Sequence, residues 1–218
     1  MSRRLVDLSH VVHHGLETYP GLPAPEICDF LSREVSRTKY APGTEFQIGK
    51  ITMVANTGTY VDAPFHRYAH GKDLSELPLE SLADLEAVVV RVPAGATAID
   101  SIPASDRELK GKAVLFHTGW SRHFGTTAYR TGHPFLTAAI AQRLVDAGAT
   151  FVGIDSLNID DISGGERPVH STLLANEIPI GEHLTGLDAI PDRGARFFAV
   201  PVKVRAFGTF PVRAFAIV

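Results

Sequence analysis

Cysteine is almost missing from this chain: Cys28 is the only one in 218 residues. One cysteine excludes an intrachain disulfide and a multi-cysteine zinc site, and it fits a reducing compartment, with the cytoplasm as the expected location. A dominant charge is missing too, since 21 Lys and Arg stand against 24 Asp and Glu for a formal charge of −3. That balance leaves no electrostatic footprint for nucleic acid, and clusters such as Arg3-Arg4 are too short to make one. No apolar run approaches the roughly 20 residues that span a membrane, and no apolar stretch follows the two arginines as an export signal requires. Neither export nor membrane insertion is expected. Repeats, low-complexity tracts and dividing linkers are absent, so the expectation is one domain over residues 1–218. Such a length can bury a core with no disulfide or structural metal.

What the chain does have is short β-forming runs. Residues 48–55, 87–92, 113–117, 150–154, 196–204 and 212–218 are apolar or β-branched and bounded by turn residues, which predicts a sheet-dominated protein. Val88-Val89-Val90 and Phe151-Val152-Gly153-Ile154 do not alternate with polar residues, so these strands are expected to be covered on both faces. One helix is clear: Thr137 can cap it, Leu136, Ile140 and Leu144 recur every four residues, and Gly148 can close it. Shorter helical pieces are expected at 79–85, 105–109 and 171–176. Residues 19–25 hold three prolines and one glycine, which excludes helix and central strand. They predict a rigid surface loop, either a plain connection or the border of a site.

Ten histidines are many for this length, and their placement separates them. His13, His14, His70, His123 and His133 sit in polar or Gly/Pro-bordered loops and read as solvated, whereas His10 and His117 end apolar runs. His66 lies four residues after Asp62 across Ala63-Pro64, and proline restricts the residue before it to extended conformations. A rigid turn after the strand at 48–55 would aim both side chains into one cavity, as a ligand and a general base require. From spacing alone, an Asp capping its own turn beside an exposed His fits equally well. Downstream, His170 precedes Glu182 by twelve positions, with Leu173-Leu174 and Ile178-Pro179-Ile180 between them. A Glu after an apolar run is either exposed or buried with a partner, because an unpaired buried carboxylate is costly.

The segment Asn56-Thr57-Gly58-Thr59-Tyr60-Val61-Asp62-Ala63-Pro64-Phe65-His66 resembles a known signature, His-x-Gly-Thr-His-x-Asp-x-Pro-x-His. It marks the cyclase family of metal-dependent hydrolases, which includes bacterial kynurenine formamidase and isatin hydrolase. Asp7-Leu8-Ser9-His10, Tyr19-Pro20-Gly21, Thr118-Gly119-Trp120, Gly153-Ile154-Asp155-Ser156, the His170/Glu182 pair and Pro211-Val212-Arg213 follow in family-like order. The resemblance implies an α/β fold, the swivelling β/β/α cyclase-like type with a mixed, largely buried sheet, and a homodimer or homotetramer. It also implies that Asp62, His170 and Glu182 are metal ligands and His66 the catalytic histidine. The first two ligand positions depart from the pattern, being Asn56 and Tyr60.

Asn offers a neutral carbonyl oxygen, and Tyr a phenol with an ordinary pKa of about 10, so neither replaces an imidazole for zinc. One metal position is expected to be weakened or lost. Asp62, His170 and Glu182, with Asn56 as a fourth oxygen donor, would suit one divalent ion, Zn²⁺, Mn²⁺ or Mg²⁺. The expected activity is hydrolysis of an amide, lactam or ester bond in a small aryl or cyclic substrate, arylformamidase-like, with His66 moving the proton and Tyr60 donating to the developing oxyanion. Tyr19, Phe65 and Trp120 are candidates to line the substrate pocket, and for Trp120 plain packing is an equal alternative. Two other readings stay open: a metal-free lyase, dehydratase or cyclase using His66 and Tyr60, and a non-catalytic family member that binds a small molecule.

Overall fold

The apolar runs pair side by side. The structure is a computed structural model describing residues 3–218; Met1 and Ser2, which open the segment read for an export signal, lie outside the described residues. In chain order the strands are β1 (Leu5–Asp7), β2 (Glu26–Leu31), β3 (Ile48–Thr52), β4 (Tyr60–Asp62), β5 (Leu85–Arg91), β6 (Ala98–Ile99), β7 (Ala113–His117), β8 (Phe135–Leu136), β9 (Phe151–Ile154), β10 (Ile180–Glu182), β11 (Arg193–Phe198), β12 (Thr209–Pro211) and β13 (Phe215–Ile217). The helices are α1 (Arg33–Arg37), α2 (Asp106–Leu109), α3 (Ala138–Ala147) and α4 (Pro168–Ala175). Nine strands form one mixed sheet in the order β1-β13-β11-β5-β7-β9-β10-β4-β12. Its centre, from β5 through β7 and β9 to β10, is parallel, and the flanks are antiparallel.

Successive side chains of a strand face opposite ways, and both faces of the central strands are covered. Ala87, Val89, Leu115 and Phe151 enter one apolar cluster with Leu8 and Phe197. Val88, Val90, Phe116 and Ile154 enter another with Ile140 and Leu144 of α3 and Leu173 of α4. Each large side chain buried in this way contributes about 1.5–3 kcal/mol. The result is the expected α/β architecture with a mixed, largely buried sheet.

α3 starts and stops on local signals: Thr137 accepts from the Ile140 N–H, and Gly148 closes the helix with φ 74°. Elsewhere tertiary packing overrides the local reading. Residues 79–85 are not a helix, because Leu79–Ser81 is a single 3-10 turn and Leu82 and Leu85 are drawn into the core. β11 begins at Arg193 and ends at Phe198, with Pro201 unable to extend the ladder. Only Ile48–Thr52 of the run 48–55 is strand, and β3 pairs with β2 alone in a ribbon apart from the main sheet. Most consequential, 56–66 is more than a turn: Tyr60–Asp62 forms β4, between β10 and β12 in the main sheet. Gly58, with φ 67°, and the 3-10 turn Pro64–His66 flank that strand. No helix among the described residues is long and apolar enough to cross a membrane.

Candidate active site

Strand alternation puts Tyr60 and Asp62 on one face of β4. Across the ladders Tyr60 faces Glu182 of β10, and Asp62 faces Thr209 of β12. Three adjacent strands thus bring Asp62, Glu182 and Thr209 together, all buried. α4 adds His170. Its Nδ1 lies 2.7 Å from Asp160 Oδ2, and Asp160 also accepts the Val169 and His170 N–H groups at 2.7 and 3.0 Å. One carboxylate therefore caps the start of α4 and fixes the imidazole of its third residue through Nδ1, so Nε2 faces the carboxylates of β4 and β10.

His170 Nε2 is 3.7 Å from both Asp62 Oδ2 and Glu182 Oε1, too far for hydrogen bonds. Asp62 Oδ2 is buried and has no hydrogen-bond partner. Such an orphan acceptor costs about 1–3 kcal/mol, and a cation among these atoms would remove that cost. Asp62, His66 and His170 each bring a ligand atom within 4.8 Å of the others, so the donor set fits a divalent cation. Glu182 stands at the edge of this group, since its two oxygens already accept from the Ile159 N–H at 2.7 Å and the Tyr60 hydroxyl at 2.6 Å.

The charges in this pocket pull on one another. Burial disfavours a charged His170, but Asp160, Asp62 and Glu182 outweigh it and raise the imidazole to about 10. Burial also pushes Asp62 up, and His170, His66 and Thr209 reverse this to hold it below the usual carboxylate range. For Glu182, burial dominates; the opposing pull of His170 leaves it raised to about 7.

His66 is held differently. Thr209 Oγ1 donates to Asp62 Oδ1 and lies 2.9 Å from His66 Nδ1. With its one hydrogen given to Asp62, the hydroxyl must accept from a protonated Nδ1, leaving Nε2 as the basic nitrogen. The ring is 36% exposed and lines a cleft of about 550 Å³ that His170 also lines. A buried anchor on one nitrogen and an open cleft at the ring suit proton transfer. Gly208 makes this approach possible, because a Cβ there would lie 2.5 Å from the His66 backbone.

The family model described as "Putative cyclase" matches residues 6–161, well over half of the chain. This chain belongs to the cyclase family. Among its relatives, the kynurenine formamidase of Bacillus cytotoxicus is 30% identical over 213 residues, covering 96% of this chain and 95% of that protein. The kynurenine formamidase of Bacillus anthracis is 28% identical over the same shares. An isatin hydrolase bound to the product analogue thioisatinate superposes with a TM-score of 0.79 at 20% identity, covering 99% of this chain and 92% of that one. A potential metal-dependent hydrolase with cyclase activity gives 0.79 at 23% identity, covering 99% and 98%. These two likenesses establish the shared fold.

In this cyclase-family chain the two departing positions meet at one phenol. Burial, with the Glu182 and Asp62 charges, pushes Tyr60 well above its ordinary value, and the neighbouring Asn56 amide offsets a part. Tyr60 therefore stays protonated and its hydrogen goes to Glu182, so donation to an oxyanion would require that bond to break. His183 Nε2 lies 3.3 Å behind the phenol, and its Nδ1 lies 2.9 Å from the Tyr129 hydroxyl. Asn56 is half-buried beside Tyr60 and outside the group formed by Asp62, His66 and His170.

Several other sequence readings are placed or corrected. Tyr19, Phe65 and Trp120 are not among the residues lining the cleft with His66. Trp120 instead gives its indole N–H to Tyr129 O at 3.1 Å, the packing alternative, and Phe65 turns between Pro64 and His66 with its backbone N–H on Lys72 O. His133 is buried, not solvated, with Nε2 3.2 Å from Asp160 O. Two family-like segments are tied by Asp155, which accepts from Thr118 N and Oγ1 and Gly119 N at 2.6–2.9 Å. Asp160, Thr209, His183 and Tyr129 carry no sequence signal for these roles. No spacing rule links them to the residues they hold.

Proposed function

We propose that this chain is an arylformamidase-like hydrolase that opens the C–N bond of a small aryl or cyclic amide, with one divalent cation, Zn²⁺ or Mn²⁺, as cofactor. The observation that carries the reading is the orphaned Asp62 Oδ2, facing His170 Nε2 beside His66. Asp62 and His170 would hold the cation, with Glu182 completing the set and His66 left free as the base. Bound there, it would supply Lewis-acid polarisation of the acyl oxygen and acidification of water. His66 Nε2 takes the proton of the attacking water as the C–O bond forms, then returns it to the amine nitrogen as the C–N bond breaks. Thr209 and Asp62 hold the imidazole in the required tautomer, and Tyr60 orients Glu182. The kinship with kynurenine formamidases supports a formamide substrate.

Metal analysis and turnover of N-formylkynurenine and related amides test this. About one metal ion per chain, with activity lost on chelation and with His170→Ala losing both metal and activity, is the expected result. Activity indifferent to chelator and to added ions would favour the metal-free lyase reading instead. A homodimer or homotetramer belongs to the same proposal: β2 and β3 form a ribbon carrying exposed Phe30 and Ile51, and isolated two-stranded ribbons are marginal alone. Light scattering after gel filtration measures that state. A cytoplasmic location fits the single cysteine, Cys28.

A further inference from the structure

The cleft beside His66 and His170 carries two guanidiniums on its rim. Arg67 directly follows His66, and Arg167 directly precedes α4, so the segments that deliver the two imidazoles also deliver an arginine each. Their bonding leaves donors unused. Arg67 engages Ser171 Oγ through Nε alone, at 3.3 Å. Arg167 engages the carbonyls of Asp161, Gly164 and Glu166 through Nη1 alone, at 3.2, 2.8 and 2.6 Å. Asn158 adds a third donor: its Oδ1 accepts the Asp160 N–H at 2.9 Å, which leaves its amide N–H₂ on the cleft wall. Among the described residues lining the cleft, one carboxylate, Glu166, stands with two guanidiniums, and Asp62 lies buried behind His66 and His170.

A planar guanidinium with free N–H groups matches a carboxylate, and unpaired donors around a cleft favour an anionic ligand over a neutral one. We propose that Arg67 and Arg167 bind a carboxylate of the substrate, so that the amide opened at His66 is one whose amine half is anionic. The inference rests on the hydrolytic reading above and narrows its substrate class. Arg167, braced by three loop carbonyls, fixes where the carboxylate sits, and the exposed Arg67 supplies the second guanidinium of the same cleft.

A matched pair of formamides tests this, 2-formamidobenzoate and formanilide, with calorimetric binding of 2-aminobenzoate and aniline read alongside. The wild-type chain is expected to prefer 2-formamidobenzoate in kcat/KM. Arg67→Gln and Arg167→Gln are each expected to cut that preference about tenfold, through KM, and to weaken 2-aminobenzoate by a similar factor. Because Arg167 also braces its loop, Arg167→Lys and a thermal melt separate lost recognition from lost structure: Lys keeps the loop and recovers only part of the preference. A wild-type preference near one, or a preference and 2-aminobenzoate affinity that neither arginine substitution moves, overturns the proposal. If neither formamide is hydrolysed while 2-aminobenzoate binds and both arginine variants weaken it, the hydrolytic reading fails and the carboxylate rim stands.

Discussion

Thr209 gives its hydroxyl hydrogen to Asp62, and that bond decides which nitrogen of His66 is free to accept a proton. The two residues face each other across β12 and β4, so the sheet itself sets the tautomer. Replacing Thr209 by Val keeps the shape and removes the bridge. We expect kcat to fall roughly 10-fold or more with bound metal unchanged, measured by steady-state kinetics and metal analysis, as for other residues that act by orienting a functional side chain.

Asp160 holds His170 by its Nδ1 and caps α4 at the same time. Asp160→Asn retains the size but loses the charge. Metal affinity is expected to drop about 10–100-fold in a chelator competition, since the imidazole loses the carboxylate that orients it and raises its basicity. An unchanged affinity would mean that Asp160 serves the helix alone.

His10 is expected to make the fold sensitive to acid. Its ring stacks on Phe124 at 3.7 Å, its Nε2 is buried without a partner, and burial pushes it from 6.5 down to about 4. As pH falls through this window, the unfolded chain takes up a proton that the folded chain refuses. The stability due to a neutral His10 is therefore full above 6.5 and is lost as pH falls towards about 4. His10→Phe is expected to keep the stack and flatten the decline of the melting temperature over that range. A decline as steep as in the wild type would assign the acid sensitivity to other groups.

Leu144 of α3 is fully buried against the face that carries Val88, Val90 and Phe116. Truncation to Ala there leaves a cavity that the packed strands close only in part. Denaturant titration is expected to show a loss of about 2–5 kcal/mol. A loss below about 1 kcal/mol would mean that α3 readjusts over the sheet.

α3 was legible in the sequence because both caps, Thr137 and Gly148, enclose Ile140 and Leu144 within one short segment, although Leu136, counted in the same period, precedes the cap and belongs to β8. The central strands were legible because unbroken apolar runs such as Val88-Val89-Val90 have few alternatives. β4 was not, since Gly58, Asp62 and Pro64 carry turn signals, and only pairing with β10 and β12 makes a strand of Tyr60–Asp62. Within the site, the approach of Asp62, His66 and His170 could be expected from the motif. The orienting residues could not: Asp160 reaches His170 and Thr209 reaches His66 through contacts that exist only once the chain is folded.

Asp62, Glu182 and Thr209 sit on three neighbouring strands drawn from distant parts of the chain, in one register. A slip of β4 by one residue would turn Tyr60 and Asp62 to the other face while leaving nearly all helix and strand content intact. In a refolding chain, regained circular dichroism and regained turnover would then report different events. The spectrum would follow the parallel centre and α3, and the proposed turnover would follow the seating of β4 between its two antiparallel neighbours, so that it would time the closing of the sheet.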